Sequence, residues 1–460
     1  MYFHKWCVRK GIAIKSVVHR QFDKYTSHFM NSARLSRLAF MLVFIFGVIF
    51  AAFIAFLFNY VGIYKELVIR EKVFYPLPFE SKSMFTSVLD EEKLQLSVRK
   101  ANVEPSAINE ALSTLHVALD LKKMGKLEKA LRLIEHALAL APKHPDILNH
   151  YGELLEESQK DIIQADQMYF QALTNCPDHS KALANRNRVM QVVEEIDKEV
   201  FQRIDKKRDT VSAIPDSNTA LQRAKKEAYF QHIYHTVGIE GNTMSLSQTR
   251  FIVENRIAVG GKSIAEHNEI LGLDAAMKYI NSTLISRLGG ITVEDILEIH
   301  RRVLGFVDPF DSGTFRRTQV FVGGHIPPRP RNIPPLMEQF AEWLNSDSAL
   351  RLHPVQFAAL AHYKLVHIHP FTDGNGRTSR LLMNMILMQA GFPPVIILKQ
   401  NRHRYYRMLE IANEGDVRPF IRFIAECTEQ TLDLFLWSTT EYASDFPAIG
   451  SSARTIIVEE

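Results

Sequence analysis

The chain has 460 residues, 46% hydrophobic and 23% charged, a globular composition with room for two or three folding units. Its formal net charge of +4 is concentrated at one end: residues 1–37 hold eight basic residues against Asp23 alone, a net +7, which leaves −3 for the remainder. A mildly acidic body excludes a nucleic-acid footprint, and Cys7, Cys176 and Cys427 supply neither a disulfide framework nor the paired spacing of a zinc site.

The basic segment 1–37 leads into an unbroken apolar run, Leu38 to Phe58, of 21 residues. At about 1.5 Å per residue a helix of that length crosses a hydrocarbon core of roughly 30 Å, so residues 38–58 are predicted to form a signal anchor. The basic residues precede it, which holds the N-terminus in the cytosol and sends residues 59–460 across the membrane, a single-pass type II arrangement. Asn281-Ser282-Thr283 is a glycan acceptor tripeptide and makes Asn281 a candidate glycosylation site on that far side. Residues 59–110 carry no strong pattern and are predicted to be a lumenal stalk.

Mainly α structure is expected beyond it. Ala130, Ala137 and Pro142 recur 35 residues later as Ala165, Ala172 and Pro177, so residues 111–179 are predicted to hold two paired-helix repeats of tetratricopeptide type, with Gly125 and Gly152 at turns or close helix contacts. From Ser180 to Lys207, Val189, Val192, Val193, Ile196, Val200 and Ile204 recur at helical spacing and predict one long linker helix, read as a rigid spacer between the repeats and a C-terminal domain. Asp209 to Asn218, with Pro215 inside, breaks the pattern, so that residues 180–215 form the linker, residues 216–440 the C-terminal catalytic domain and residues 441–460 a tail.

The chemistry concentrates in His369-Pro370-Phe371-Thr372-Asp373-Gly374-Asn375-Gly376-Arg377-Thr378-Ser379-Arg380, a loop between two helical patterns. Two glycines free the backbone to turn N–H groups inward where a helix begins, which makes a cradle for phosphate. Arg377 and Arg380 can grip phosphate oxygens in two-point contacts, Asp373 offers a hard oxygen for Mg²⁺, and His369 at the edge can accept a proton. Upstream, Thr318 to Pro328 combines β-branched residues with Gly323-Gly324 and reads as a strand and turn.

The stretch from His369 to Arg380 resembles the signature HxFxDGNGRxxR of the Fic family. The resemblance implies an all-α Fic domain with a β-hairpin flap and transfer of AMP from ATP to protein hydroxyls. In it His369 is the general base, Asp373 holds Mg²⁺ (or Mn²⁺ in its place), and Gly374, Asn375 and Gly376 line the anion hole. Arg377, Thr378, Ser379 and Arg380 complete the nucleotide site, and Phe371 buries its ring beneath the loop. The flap places Val322, Gly323, Gly324 and His325 against nucleotide and target, while Tyr405, Tyr406 and Asn413 surround adenine and ribose. Thr236 to Asn242 is similar to the family's inhibitory motif, in which Glu240 meets Arg380 and withdraws it from the γ-phosphate.

Anchor, repeats, long helix, inhibitory glutamate and catalytic core occur in the order of the metazoan FICD branch of the family. That likeness implies residence in the endoplasmic reticulum membrane with the catalytic domain lumenal, and an Hsp70-class chaperone (BiP-like) substrate held through the repeats. It also implies a homodimer through the Fic domain and removal of AMP assisted by Glu240. In the segment Ile264 to Leu273, Ile264, Ile270 and Leu271 carry more apolar surface than a solvated loop needs, which makes them candidates for the dimer contact or for intramolecular core packing. Fic-type transfer of phosphate or phosphocholine, or a repeat scaffold without activity, are the competing readings.

Overall fold

Proline at the first helical position costs nothing, because that N–H has no intrahelical partner. It opens the first helix here at Pro105, six residues before the expected start of the repeats. The structure, a computed structural model, describes residues 105–287 and 289–439; the predicted anchor at 38–58, the basic tail, most of the stalk and the C-terminal tail lie outside the described residues. Among the described residues no helix is long and apolar enough to cross a membrane.

Four helices, α1 (Pro105–Lys123), α2 (Leu127–Leu140), α3 (Pro145–Leu154) and α4 (Ile162–Asn175), form two hairpins stacked in order. Their seam is built from small residues: Ala130, Ala137, Ala165 and Ala172 are all fully buried, as the 35-residue recurrence predicts. Gly125 turns the chain between α1 and α2 at φ 74°, and Gly152 lets Tyr169 approach so closely that a Cβ there would lie 2.6 Å from its ring.

Helix α5 (Ser180–Ser212) is the predicted linker helix, extended past residue 209 because Val211 packs on the core of the catalytic domain. Val189, Val193 and Ile204 face inward, whereas Val192 is exposed. Expected as a spacer, α5 instead lies along the last helix, α15 (Arg418–Ser438). Arg422 bonds Asp197 through two contacts of 2.7 and 2.8 Å, and Arg203 and Lys207 both reach Glu429. The repeats touch the same helix directly. Arg418 donates to the fully buried Asp166 of α4 at 2.5 Å and stacks over Phe170, whose ring Arg186 also covers. The repeat pair is thus clamped against the catalytic domain, since a buried carboxylate is tolerated only with charged partners in place.

The catalytic domain contains α6 (Thr219–Ile239), α7 (Leu246–Asn255), α8 (Ile264–Tyr279), α9 (Val293–Leu304), α10 (Ile333–Leu344), α11 (Asp347–Leu350), α12 (Pro354–Ile368), α13 (Asn375–Gln389), α14 (Arg402–Asn413) and α15. Their apolar faces close on α12 and α13, whose Leu365, Leu381, Leu382 and Met385 are at most 1% exposed. This central pair sets the loop between them in a fixed frame. The expected β-hairpin reduces, among the described residues, to one bridge in which Val322 and His325 exchange backbone hydrogen bonds of 3.1 and 3.0 Å around Gly323-Gly324. Gly323 takes φ 58°, the left-handed conformation a two-residue turn requires, and a single bridge leaves most backbone groups of this segment open.

Candidate functional site

Helix α12 ends at His369, which adopts φ 51° and ψ 59°, a left-handed conformation unusual for a residue with a side chain. The surroundings enforce it. The His369 N–H donates to Leu365 O, its carbonyl accepts from Arg316 Nε at 2.8 Å, and Pro370 O accepts from the Arg316 N–H at 2.9 Å. His369 Nδ1 lies 3.2 Å from Val366 O; a carbonyl can only accept, so Nδ1 carries the proton and Nε2 keeps its lone pair. Burial pushes the imidazole down to about 4, which leaves it neutral at physiological pH with the Nε2 lone pair free to accept a proton.

The loop then turns through Gly374 at φ 77° into α13. Asn375 fixes the turn from within: its Oδ1 accepts from the Phe371 N–H at 3.0 Å and its Nδ2 donates to Phe371 O at 2.8 Å. Its side chain is therefore spent on the loop, and the site is lined by backbone N–H groups of the first turn of α13. Phe371 is fully buried, as expected. Gly376 keeps that first turn open, because a Cβ there would lie 2.5 Å from Glu240 Oε1.

The two arginines face different carboxylates. Arg377 donates to Asp373 at 2.6 Å and lies 3.6 Å from Glu269, while its Nε and Nη1 are buried without a hydrogen-bond partner. Arg380, essentially buried, donates to Glu240 at 2.5 Å and to Thr236 O at 3.0 Å, and the negative charge of Glu240 raises its already high pKa against the opposing effect of burial. Glu240 ends α6, whose last turn is tied down by Arg402 Nε on Ile239 O at 2.6 Å. The predicted pairing of Glu240 with an arginine 140 residues later is thus present in the geometry.

Asp373 keeps its side chain 65% exposed. Among the described residues no three His, Cys, Asp or Glu side chains converge as a protein-only metal cage. The exposed Asp373 carboxylate is the kind of hard oxygen that holds Mg²⁺ together with nucleotide phosphates. The orphaned nitrogens of Arg377 and the open amide turn likewise suit a polyphosphate.

Other expected contacts fall differently. Tyr405 is 1% exposed and lies behind the cradle, with its hydroxyl 3.3 Å from Arg380 Nη1 and 3.0 Å from His362 Nε2, so it steadies Arg380 and does not face a ligand. Tyr406, half-buried, donates to the other Glu240 oxygen at 3.4 Å, and the exposed Asn413 accepts through Oδ1 from His367 Nδ1 at 3.0 Å. Thr378 and Ser379 lie on the buried side of α13 with unpartnered hydroxyls. His325 donates Nε2 to His367 O at 2.9 Å, which anchors the Val322–His325 turn beside the catalytic loop.

Two groups were missed from the sequence. His300 of α9 stacks on Phe371 with ring centroids 3.7 Å apart; its Nδ1 accepts from the Gly313 N–H at 2.9 Å, and its Nε2 donates to Asp373 O at 2.9 Å. Arg316, 3% exposed, gives its guanidinium to the carbonyls of His369, Thr318 and Pro328. Both act through backbone carbonyls and packing, which leave no side-chain motif to find.

A profile of the Fic/DOC family matches residues 290–387. The chain is 64% identical over 352 residues to the protein adenylyltransferase Fic of Aedes aegypti, covering 76% of this chain and 70% of that one. It belongs to the Fic family. Against the protein adenylyltransferase Fic of Culex quinquefasciatus, identity is 54% over 433 residues, 90% of this chain and 85% of the relative. Among solved structures, a fragment of Fic-1 from C. elegans superposes with a TM-score of 0.67 at 43% identity, covering 71% of this chain and 98% of that one. This family member is accordingly a protein adenylyltransferase of the metazoan branch, with ATP as the AMP donor.

Proposed function

We propose that the chain adenylylates Ser or Thr hydroxyls of an Hsp70-class chaperone in the lumen of the endoplasmic reticulum, is held inactive by Glu240, and also removes AMP. One observation supports the self-inhibition: Glu240 lies against both Arg380 and the open amide turn at Gly376, where a carboxylate would stand in for a terminal phosphate. With Glu240 displaced, Arg380 and Arg377 grip the outer phosphates and the amides of the first turn of α13 line the anion hole for the phosphate chain. Mg²⁺ held by Asp373 would neutralise phosphate charge there.

His369 Nε2 takes the proton from the acceptor hydroxyl, whose oxygen forms a bond to the α-phosphorus while the bond to the β-phosphate breaks and pyrophosphate leaves. The neutral tautomer held by Val366 O supports this role. In the removal of AMP, water oriented by the Glu240 carboxylate attacks the phosphorus, the bond from phosphorus to the protein oxygen breaks, and the proton lost by the water passes through His369 Nε2 to the departing oxygen. The repeats hold the chaperone, the segment 38–58 anchors the chain, Asn281 carries glycan, and a second copy docks at Ile264, which is 79% exposed on α8. Ile270 does not share that surface: it is fully buried, and Leu271 is half-buried in the core.

The test uses sealed microsomes and labelled ATP. Residues 59–460 should resist external protease, and an Hsp70-class chaperone should gain the mass of AMP, not of phosphate or phosphocholine. A cytosolic catalytic domain or a different adduct sinks the assignment.

A further inference from the structure

A second carboxylate stands beside the cradle, on an element that lies outside the motif from His369 to Arg380. Glu269 belongs to α8, its side chain is mostly buried, and its Oε1 lies 3.6 Å from Arg377 Nη1. Burial raises its pKa, while the bond from Asn242 and the charge of Arg377 oppose that rise. Its other oxygen is held. Oε2 accepts from Asn242 Nδ2 at 2.8 Å, the same Nδ2 donates to Glu266 O at 3.0 Å, and Asn242 Oδ1 accepts from the Met244 N–H at 3.0 Å. A carboxylate fixed through one oxygen keeps the other in a set place.

Arg377 thus has two carboxylates beside it among the described residues, and they differ in what else they can do. Asp373 is the exposed one, accepts from Arg377 at 2.6 Å, and is the residue proposed to hold Mg²⁺. An oxygen that holds a metal ion no longer balances the arginine in full. The Arg377 side chain is only 3% exposed, where a cation without counter-charge is costly. Glu269 supplies that charge, and its distance matters. At 3.6 Å it neutralises the guanidinium without taking a hydrogen bond, so Nε and Nη1 stay unpartnered as donors for a phosphate.

We propose that Glu269 is a positioning residue: it keeps Arg377 balanced and in place when Asp373 turns to the metal, and so couples Mg²⁺ binding to ATP binding. This rests on Asp373 being the Mg²⁺ ligand. Without the Glu269 charge, Arg377 leans on Asp373 alone, and the metal must compete for a carboxylate that is more tightly held. Nucleotide phosphates then meet a cradle with one negative charge fewer, so ATP without metal binds at least as well. A residue that only supported the fold would weaken both.

The experiment titrates ATP by calorimetry into full-length Glu240→Gly protein, once in EDTA and once in Mg²⁺; the ratio of the two dissociation constants measures the coupling. Glu269→Gln keeps an acceptor for Asn242 and loses the charge. It should cut that ratio about tenfold, the scale of one contact to a charged group, and leave metal-free ATP binding unchanged or tighter. Glu269→Asp, which keeps the charge, should retain more of the ratio than Glu269→Gln. An unchanged ratio in Glu269→Gln overturns the proposal, and so does an equal loss of affinity in both titrations. Asp373→Asn separates the two assignments, since it should abolish the coupling outright. If Asp373→Asn keeps the full ratio, the metal ligand is misassigned and the role of Glu269 falls with it.

Discussion

Replacing Glu240 with glycine removes the one carboxylate that meets Arg380 among the described residues. Arg380 is 1% exposed, and after the change it keeps only Thr236 O at 3.0 Å and the Tyr405 hydroxyl at 3.3 Å. Hydrogen bonds to charged groups contribute about 1.5–3 kcal/mol, so the guanidinium becomes available to a phosphate with a gain of about tenfold to a hundredfold in productive occupancy. AMP transfer should rise by that order, and removal of AMP should be lost. The same change leaves a buried cation without its counter-charge, so the thermal midpoint should fall without nucleotide and recover when ATP supplies the missing anion. Glu240→Gln, which keeps the shape and loses the charge, should lie between wild type and Glu240→Gly in transfer. The assay follows labelled AMP onto, and off, a purified adenylylated chaperone. Unchanged transfer together with removal at the wild-type rate would show that Glu240 is only the residue that ends α6.

His369→Ala in a Glu240→Gly background should abolish transfer while ATP binding by calorimetry persists; retained transfer removes His369 from the chemistry. With its imidazole held down at about 4, transfer should stay flat from neutrality to about pH 5 and fall as pH drops through 4. The same depression at His232, His235, His300 and His367, each near 4 through burial, adds stability that is present above 6.5 and lost as pH falls toward 4, so the melting temperature should drop across that window. Arg418→Ala strands the Asp166 carboxylate against Arg186 alone at 3.7 Å and should cost up to about 3–5 kcal/mol in urea unfolding, whereas a change under about 0.5 kcal/mol would mean that the clamp carries nothing. Ile264→Asp, at a site 79% exposed, should leave the fold intact and convert the proposed dimer to monomer by sedimentation; a folded dimer would place the interface elsewhere.

Features set by local chemistry were legible in the chain. The repeat seam followed from alanines 35 residues apart, the cradle from glycines before a helix start, and the buried ring from Phe371 between two such signals. Even the Glu240–Arg380 contact was accessible, because a motif match named both residues. Helix boundaries slipped by a few residues where packing extended them: Val211 keeps α5 helical to Ser212, and Pro105 starts α1 early.

What only the tertiary structure decided depends on direction and distance across the fold. Apolar character alone made Ile264 and Ile270 equal contact candidates, but which of them met the core was set by the neighbours, so one is exposed and the other fully buried. Tyr405 belongs behind Arg380 and not around a ligand because its ring fills the space between α12 and α14. The long helix holds the repeats against the catalytic domain because Arg418 and Arg422 project from a helix more than 200 residues away to meet Asp166 and Asp197. His300 and Arg316 shape the site by donating to backbone carbonyls, which every residue possesses, so only the folded path of the chain reveals which carbonyls come within reach.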